Sequence, residues 1–175
     1  MGPLIAALAA LLLADEAQLP ASMPEAEVAA YHFVRPGLAI AGRPTAETVA
    51  RLKDLGFRTI IDLRPESEGT ADEKSAVESQ GLRYVSVPFT PASFTLADAK
   101  AVASALDDPE AGPVLLHCAS ANRAGGVWTV LQAIAGKPID EAEQEGRKFG
   151  LRSEAMVEAA RRVAAEALSG NSQAP

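Results

Sequence analysis

The stretch Val114-Leu115-Leu116-His117-Cys118-Ala119-Ser120-Ala121-Asn122-Arg123-Ala124-Gly125-Gly126 decides the reading of this 175-residue chain. It opens as an apolar run that reads as a buried strand and delivers the only cysteine. Arg123 follows five positions later, and Gly125-Gly126 lead into a helical pattern that runs to Ala135 before Gly136 stops it. A strand feeding a tight loop at a helix N-terminus gathers main-chain N–H groups and the positive end of the macrodipole at one point, which makes an anion site. A thiol held there, between His117 and Arg123, favours its nucleophilic thiolate form. A lone cysteine ending a buried strand is usually a small hydrophobe. Packing, however, has no use for the adjacent histidine, the loop arginine and the small residues between them. An anion cradle with a nucleophile at its floor points to transfer of a phosphoryl or similar group through a covalent cysteine intermediate.

Outward from this stretch the chain alternates strand and helix. Tyr31–Val34 and Leu38–Ala41 flank the turn Arg35-Pro36-Gly37 and predict a hairpin. Thr45 predicts a helix cap with the helix running to Leu55, and Phe57–Leu63 a strand. Thr70-Ala71-Asp72-Glu73 reads as a capping box for a helix ending at Gly81, followed by a strand over Leu82–Val87. Thr95-Leu96-Ala97-Asp98 opens a helix to about Leu106, and two more helices, Ile139–Phe149 and Ser153–Leu168, close the chain. The pattern predicts an α/β domain with a mostly parallel central sheet flanked by helices. The Cys118 loop then lies outside a strand's C-terminal end.

Composition bounds the function. With 48% hydrophobic residues, 175 residues can bury one good core, so one domain is expected. The net charge of −7 and pI near 4.9 leave no basic footprint for nucleic acid or an anionic membrane surface. One cysteine excludes an internal disulfide, and with only His32 and His117 there is no Cys/His cluster for a metal. No cofactor is expected. Leu4–Ala14 is an eleven-residue apolar run, too short to span a bilayer and of the length of a signal-peptide core. Leu12 and Ala14 suit cleavage after residue 14, although Met1-Gly2-Pro3 carries no Lys or Arg. The expected layout is therefore a signal peptide over 1–14, a linker over 15–30, the catalytic domain over 31–169 and a tail over 170–175. It implies a periplasmic or secreted protein with no stable membrane insertion after processing. A buried amphipathic helix and a cytoplasmic protein are the alternative.

His117-Cys118 followed by a short loop ending in Arg123 resembles the signature of the cysteine-dependent protein tyrosine and dual-specificity phosphatases. That family usually has five residues between Cys and Arg, whereas four stand here, Ala119 to Asn122. The short form resembles a bacterial branch, the phosphatase-like domain related to beta-lactamase hydrolase-like proteins. Leu38–Thr45, Gly56–Glu66 and Glu145–Leu151 are similar to further parts of that branch, so the resemblance spans roughly 31–163. It implies a phosphatase-like fold and a phosphomonoesterase acting on a phosphorylated small molecule or phosphoprotein. Two departures stand out. Ala124 replaces the usual Ser or Thr after the signature arginine. Val87–Thr95, where the family's general acid is expected, holds no acid.

With the resemblance stated, each residue receives a role. Cys118 is the nucleophile, and Arg123 clamps two oxygens of a tetrahedral anion with its planar fork. Main-chain N–H groups of Ala119, Ser120, Ala121, Asn122 and Arg123 bind the remaining oxygens. Ser120 and Asn122 contact the ligand or brace the loop, and His117 orients it. In Asp62-Leu63-Arg64-Pro65-Glu66-Ser67-Glu68-Gly69, Arg64 and Glu68 are expected at the same rim, pairing with each other or facing the ligand. Glu66 or Glu68 is the substitute acid. Asp98 is read as structural, and Trp128 as core. Two other classes stay open: a rhodanese-like sulfur transferase working through a Cys118 persulfide, which needs no general acid, and a non-catalytic anion-binding module.

Overall fold

The computed structural model describes residues 19–171. Strands β1 (His32–Arg35), β2 (Leu38–Ala41), β3 (Thr59–Asp62), β4 (Arg83–Ser86) and β5 (Val114–His117) form one sheet in the order β1-β2-β5-β3-β4. Only the β1–β2 hairpin is antiparallel; β5 pairs in parallel with β2 on one edge and β3 on the other. The helices are α1 (Ala46–Val49), α2 (Ala71–Ser79), α3 (Leu96–Asp107), α4 (Asn122–Ile134), α5 (Ile139–Lys148) and α6 (Glu154–Asn171). The mostly parallel α/β architecture expected from the sequence is the one observed.

Every residue of β2, β3 and β5 is buried, which a parallel strand covered by helices on both faces requires. Alternation along each strand sorts the side chains. Leu38, Ile40, Ile61 and Leu116 join Val102, Val127 and Ala160 of α3, α4 and α6. Ala39, Ala41, Ile60 and Leu115 join Val49, Leu52 and Val77 on the opposite face.

Several elements depart from expectation. The helix from Thr45 is regular only over α1, where Thr45 Oγ1 accepts from Thr48 N at 3.2 Å. Beyond it, the Arg51 and Leu52 amides bond back three residues, and the chain continues as tight turns to Gly56. These turns still lay Val49 and Leu52 on the sheet. Thr70 is in a helical conformation and its side chain caps nothing, so no capping box forms there. Thr95 and Asp98 do form one. The stretch expected as a linker packs against the sheet over its described part. Leu19 and Val28 are buried, Ala29 O accepts from Gly42 N at 2.6 Å, and Tyr31 Oη donates to Pro20 O at 2.7 Å. Burial pushes the Tyr31 hydroxyl up to about 12. Helix α6 extends to Asn171, into the expected tail. The proposed signal peptide and residues 172–175 lie outside the described residues.

Helix α4 crosses α5 at a contact that has room for no side chain. A Cβ on Gly146 would collide with Thr129 Oγ1 and stand 2.6 Å from Gly125 O, and one on Gly125 would stand 2.7 Å from Gly146 O. The crossing sets the inclination of α4, and with it the loop at the helix's N-terminus. Gly146→Ala should therefore destabilise the domain despite alanine's better helix propensity. The overpacking cost is about 1–3 kcal/mol. Thermal unfolding followed by circular dichroism should show a midpoint several degrees lower.

Candidate active site

Strand β5 ends at His117, and its double pairing fixes where the chain leaves the sheet. Cys118 follows, buried among the apolar side chains of the α4 face, with its N–H donating to Ala41 O at 3.3 Å. The loop is tied at each step. Ala119 O accepts from Arg43 N at 3.1 Å, Ser120 bridges Gly42, and Ser120 O accepts from Arg152 Nη1 at 2.8 Å. Asn122 Oδ1 accepts from the Arg152 and Ser153 amides, and its Nδ2 donates to Ser153 Oγ at 2.8 Å. Asn122 is thus a brace. Ala121 immediately precedes α4 with φ +63°, the left-handed region where a non-glycine residue is uncommon. Gly150 (φ +105°) lies so close that its Cβ would strike Ala121. The N–H groups of Ala119, Ser120, Asn122, Arg123 and Ala124 meet no protein acceptor among the described residues.

Arg123 is held from one end. Its Nη1 and Nη2 each donate to one oxygen of the Glu68 carboxylate at 2.8 Å, and Nη1 also donates to Phe89 O at 3.2 Å. Burial opposes its charge, but the Glu68 hydrogen bonds and the nearness of Cys118 raise its pKa above the ordinary value. The Phe89 segment, where an acid was sought, therefore supplies a carbonyl that fixes the arginine. Glu68 comes from a short 3₁₀ turn, Glu66–Glu68, closed by Gly69 at φ +76°. It braces Arg123 with both oxygens and does not pair with Arg64. Glu66 is exposed.

Arg64 is the main correction. Expected at the rim, it is wholly buried beneath the site. Its guanidinium donates to Asp62 through Nε (3.0 Å) and Nη2 (2.7 Å), and Nη2 also reaches Glu73 Oε2 at 2.5 Å. Tyr84 Oη donates to Asp62 Oδ2 at 2.6 Å. His117 stands in the same layer. Its Nε2 is 2.8 Å from Glu73 Oε1, out of hydrogen-bond alignment, and its Nδ1 is 3.4 Å from Cys118 O. Burial alone would raise Asp62, but the Arg64 hydrogen bonds, His117 and Tyr84 hold it below the usual carboxylate range. The Tyr84 hydroxyl is pushed up, by burial and by its bond to Asp62. Asp62, Glu73 and His117 place ligand-type atoms within 4.8 Å of one another. Arg64 already bridges the two carboxylates, so a cation would have to displace a buried guanidinium.

The structure thus brings Cys118, Arg123 and Glu68 together, seats His117 directly behind the loop and removes Arg64 from the rim. Sequence reading missed Asp62, Tyr84 and Glu73. An Asp inside the apolar run Thr59–Leu63 was a signal, because a buried carboxylate demands partners. Glu73 fitted a capping box equally well, which concealed it. Trp128 is core as expected, and its Nε1 donates to Glu145 Oε1 at 2.9 Å.

A central parallel strand leading into Cys118, a short loop and the helix-borne Arg123 are the site of a phosphatase-like α/β domain. The chain belongs to the family of the beta-lactamase hydrolase-like protein, phosphatase-like domain, whose model matches residues 30–135. The beta-lactamase hydrolase-like protein of Xylella fastidiosa (strain Temecula1) is 36% identical over 119 residues, 65% of this chain and 27% of that protein. The chain thus spans about a quarter of the length of the curated relatives it matches. Among solved structures, Pseudomonas aeruginosa TpbA, in complex with pTyr, aligns with a TM-score of 0.66 at 20% identity, covering 92% of this chain and 99% of that one. The core catalytic domain of the Saccharomyces cerevisiae PP-IP phosphatase SIW14, in complex with citrate, aligns with a TM-score of 0.66 at 16% identity, covering 85% and 96%. At these identities the likeness is one of fold.

The buried network makes a pH prediction. Because Asp62 is held below its ordinary value in the folded state, its contribution is complete above about pH 4 and is lost as pH falls through the folded value. Asp62→Asn leaves Arg64 short of a charged acceptor and should cost on the order of 3 kcal/mol at pH 7. Urea unfolding should show the gap between the variant and the parent narrowing below about pH 4.

Proposed function

We propose that this domain hydrolyses phosphomonoesters through a cysteinyl-phosphate on Cys118, working best on aryl phosphates. The observation that carries this reading is the anchored Arg123. Glu68 takes the Nη1–Nη2 end of its fork, so the guanidinium is fixed beside Cys118 with its Nε edge left for an anion. Loop N–H groups at the start of α4 supply further donors, in a geometry that favours a dianion over a neutral ligand. The Cys118 thiolate attacks phosphorus, the P–O bond to the leaving group breaks, and that oxygen departs with its electron pair. Water then attacks phosphorus, and the S–P bond breaks with its electron pair on sulfur. Phosphate leaves as the Cys118 thiolate is restored, and the water's proton passes to the phosphate or the solvent. The substrate is a phosphorylated small molecule or phosphoprotein, and we place the protein in the periplasm or outside the cell on the strength of Leu4–Ala14.

If Cys118 is the nucleophile, Cys118→Ser should lose nearly all turnover of an aryl phosphate while still binding phosphate or vanadate, since the loop donors survive. Arg123→Lys should lose roughly 10²-fold, because an ammonium cannot hold Glu68 and two oxygens in one plane. Steady-state rates and isothermal titration check both; full activity in Cys118→Ser would refute the cysteine mechanism. Turnover of thiosulfate plus cyanide, with no aryl phosphate hydrolysed, would establish sulfur transfer instead. Phosphate binding with neither activity would leave an anion-binding module.

Protonation of the leaving group is the weak step. Val87–Thr95 holds no acid, Ala124 offers no hydroxyl, and both Glu68 oxygens are engaged by Arg123. General acid catalysis typically contributes about 10²–10⁴-fold. Burst-phase rates across a series of aryl phosphates should therefore fall steeply as leaving-group pKa rises, with almost no activity on phosphoserine. A flat series would mean that an acid is supplied, and exposed Glu66 is then the first residue to replace.

A further inference from the structure

Behind the Cys118 loop the buried polar groups form a continuous line: Tyr84, Asp62, Arg64, Glu73, His117 and the Cys118 carbonyl. All but one come from the sheet or the turn after β3. The exception is Glu73, in the first turn of α2, whose side chain is 7% exposed. A glutamate so buried must be compensated. One oxygen is, by Arg64. The other, Oε1, has no hydrogen bond, and neither has His117 Nε2, which lies 2.8 Å from it. The next carboxylate oxygen, Asp62 Oδ1, is 3.9 Å from the ring, so Glu73 alone is within hydrogen-bonding distance of Nε2. The ring's other nitrogen faces Cys118 O at 3.4 Å. Whatever orients the imidazole at Nε2 therefore sets what Nδ1 presents to the first peptide of the loop. The carboxylate is itself held by a guanidinium with no exposed side-chain surface, so it is a stiff anchor.

We infer that Glu73 is a positioning residue of this site, acting on the Cys118 peptide through the His117 ring. This rests on the reading of Cys118 as the nucleophile but not on which group it transfers. Glu73 touches no reacting atom. Its role is to fix the ring, and a misplaced loop start carries the nucleophile away from the anion bound by Arg123 and the α4 amides, which an enzyme pays for in rate.

The test is a double-mutant cycle on the full chain with Glu73→Gln and His117→Asn, together with Glu73→Asp as the charge-keeping variant. Three quantities are read: thermal midpoint, kcat and KM for an aryl phosphate, and the iodoacetamide alkylation rate of Cys118 with and without inorganic phosphate. Glu73→Gln should lower kcat about tenfold or more with KM little changed, and should alter the alkylation rate of folded protein. His117→Asn should do the same, and the double variant should be no worse than the worse single one, because both act through one ring. Glu73→Asp should recover part of the loss. Additive losses, or Glu73→Gln that lowers only the melting midpoint, would overturn the inference. So would failure of both Glu73 variants to fold, which would assign the residue to stability alone. Alkylation is read without turnover. A parent chain with no phosphatase activity would therefore defeat the phosphatase reading while leaving the coupling of Glu73 to Cys118 measurable.

Discussion

The in-register pairing of β5 between β2 and β3 places His117 beside Ala41 on one edge and Asp62 on the other, at the ends of strands buried on both faces. Two polar side chains are thereby withdrawn from water in the middle of the sheet, where an uncompensated charge is costly. Arg64 supplies Asp62 with three side-chain contacts, Tyr84 adds a hydroxyl, and Glu73 meets both Arg64 and His117. None of these partners is local to the loop, yet each stands under it. The strand register thus creates the polar layer, and the polar layer supports the residue from which the loop departs.

A second constraint sits at the other end of the loop. Four residues separate Cys118 from Arg123, and the chain reaches the helix through a left-handed alanine. An L-residue in that region is strained by roughly 1–2 kcal/mol. It persists because both sides are held: Asn122 takes two amides from 152–153, and Gly150 packs against Ala121 with no space for a Cβ. The segment at 150–153 and the helix crossing at Gly125 and Gly146 are therefore part of the site's construction, although neither touches the cysteine.

Much of this was legible in sequence. Alternating apolar strands and helices specify the α/β sheet, and the Cys118–Arg123 stretch specifies a tight loop between β5 and α4, because both depend on local pattern. What was not legible depends on pairing across the chain. Arg64 stands two residues after a strand, a place that reads as a rim, but its anchors are Asp62 beside it and Glu73 nine residues on, in a helix that folds back over the sheet. Glu73 satisfies the spacing of a capping box, and only the fold reveals that Thr70 caps nothing and the glutamate points inward. The segment over 19–30, acidic and proline-bearing, looks like a linker until Leu19 and Val28 are seen to cover the α1–α2 face.

The division of labour between the two glutamates explains why the general acid is hard to locate. In a site with one fixed guanidinium, a carboxylate that grips it with both oxygens has neither oxygen left to carry a proton to a leaving group. Glu68 is committed in this way by its end-on grip on Arg123, and Glu73 is committed to Arg64 and His117 below the loop. The remaining acid on that turn, Glu66, is exposed. An exposed carboxylate reaches a leaving group only where the substrate extends over it. Under the proposed hydrolysis, proton delivery would be coupled to how much of the leaving group the rim encloses, and the leaving group's size, alongside its acidity, would then decide which phosphate esters turn over.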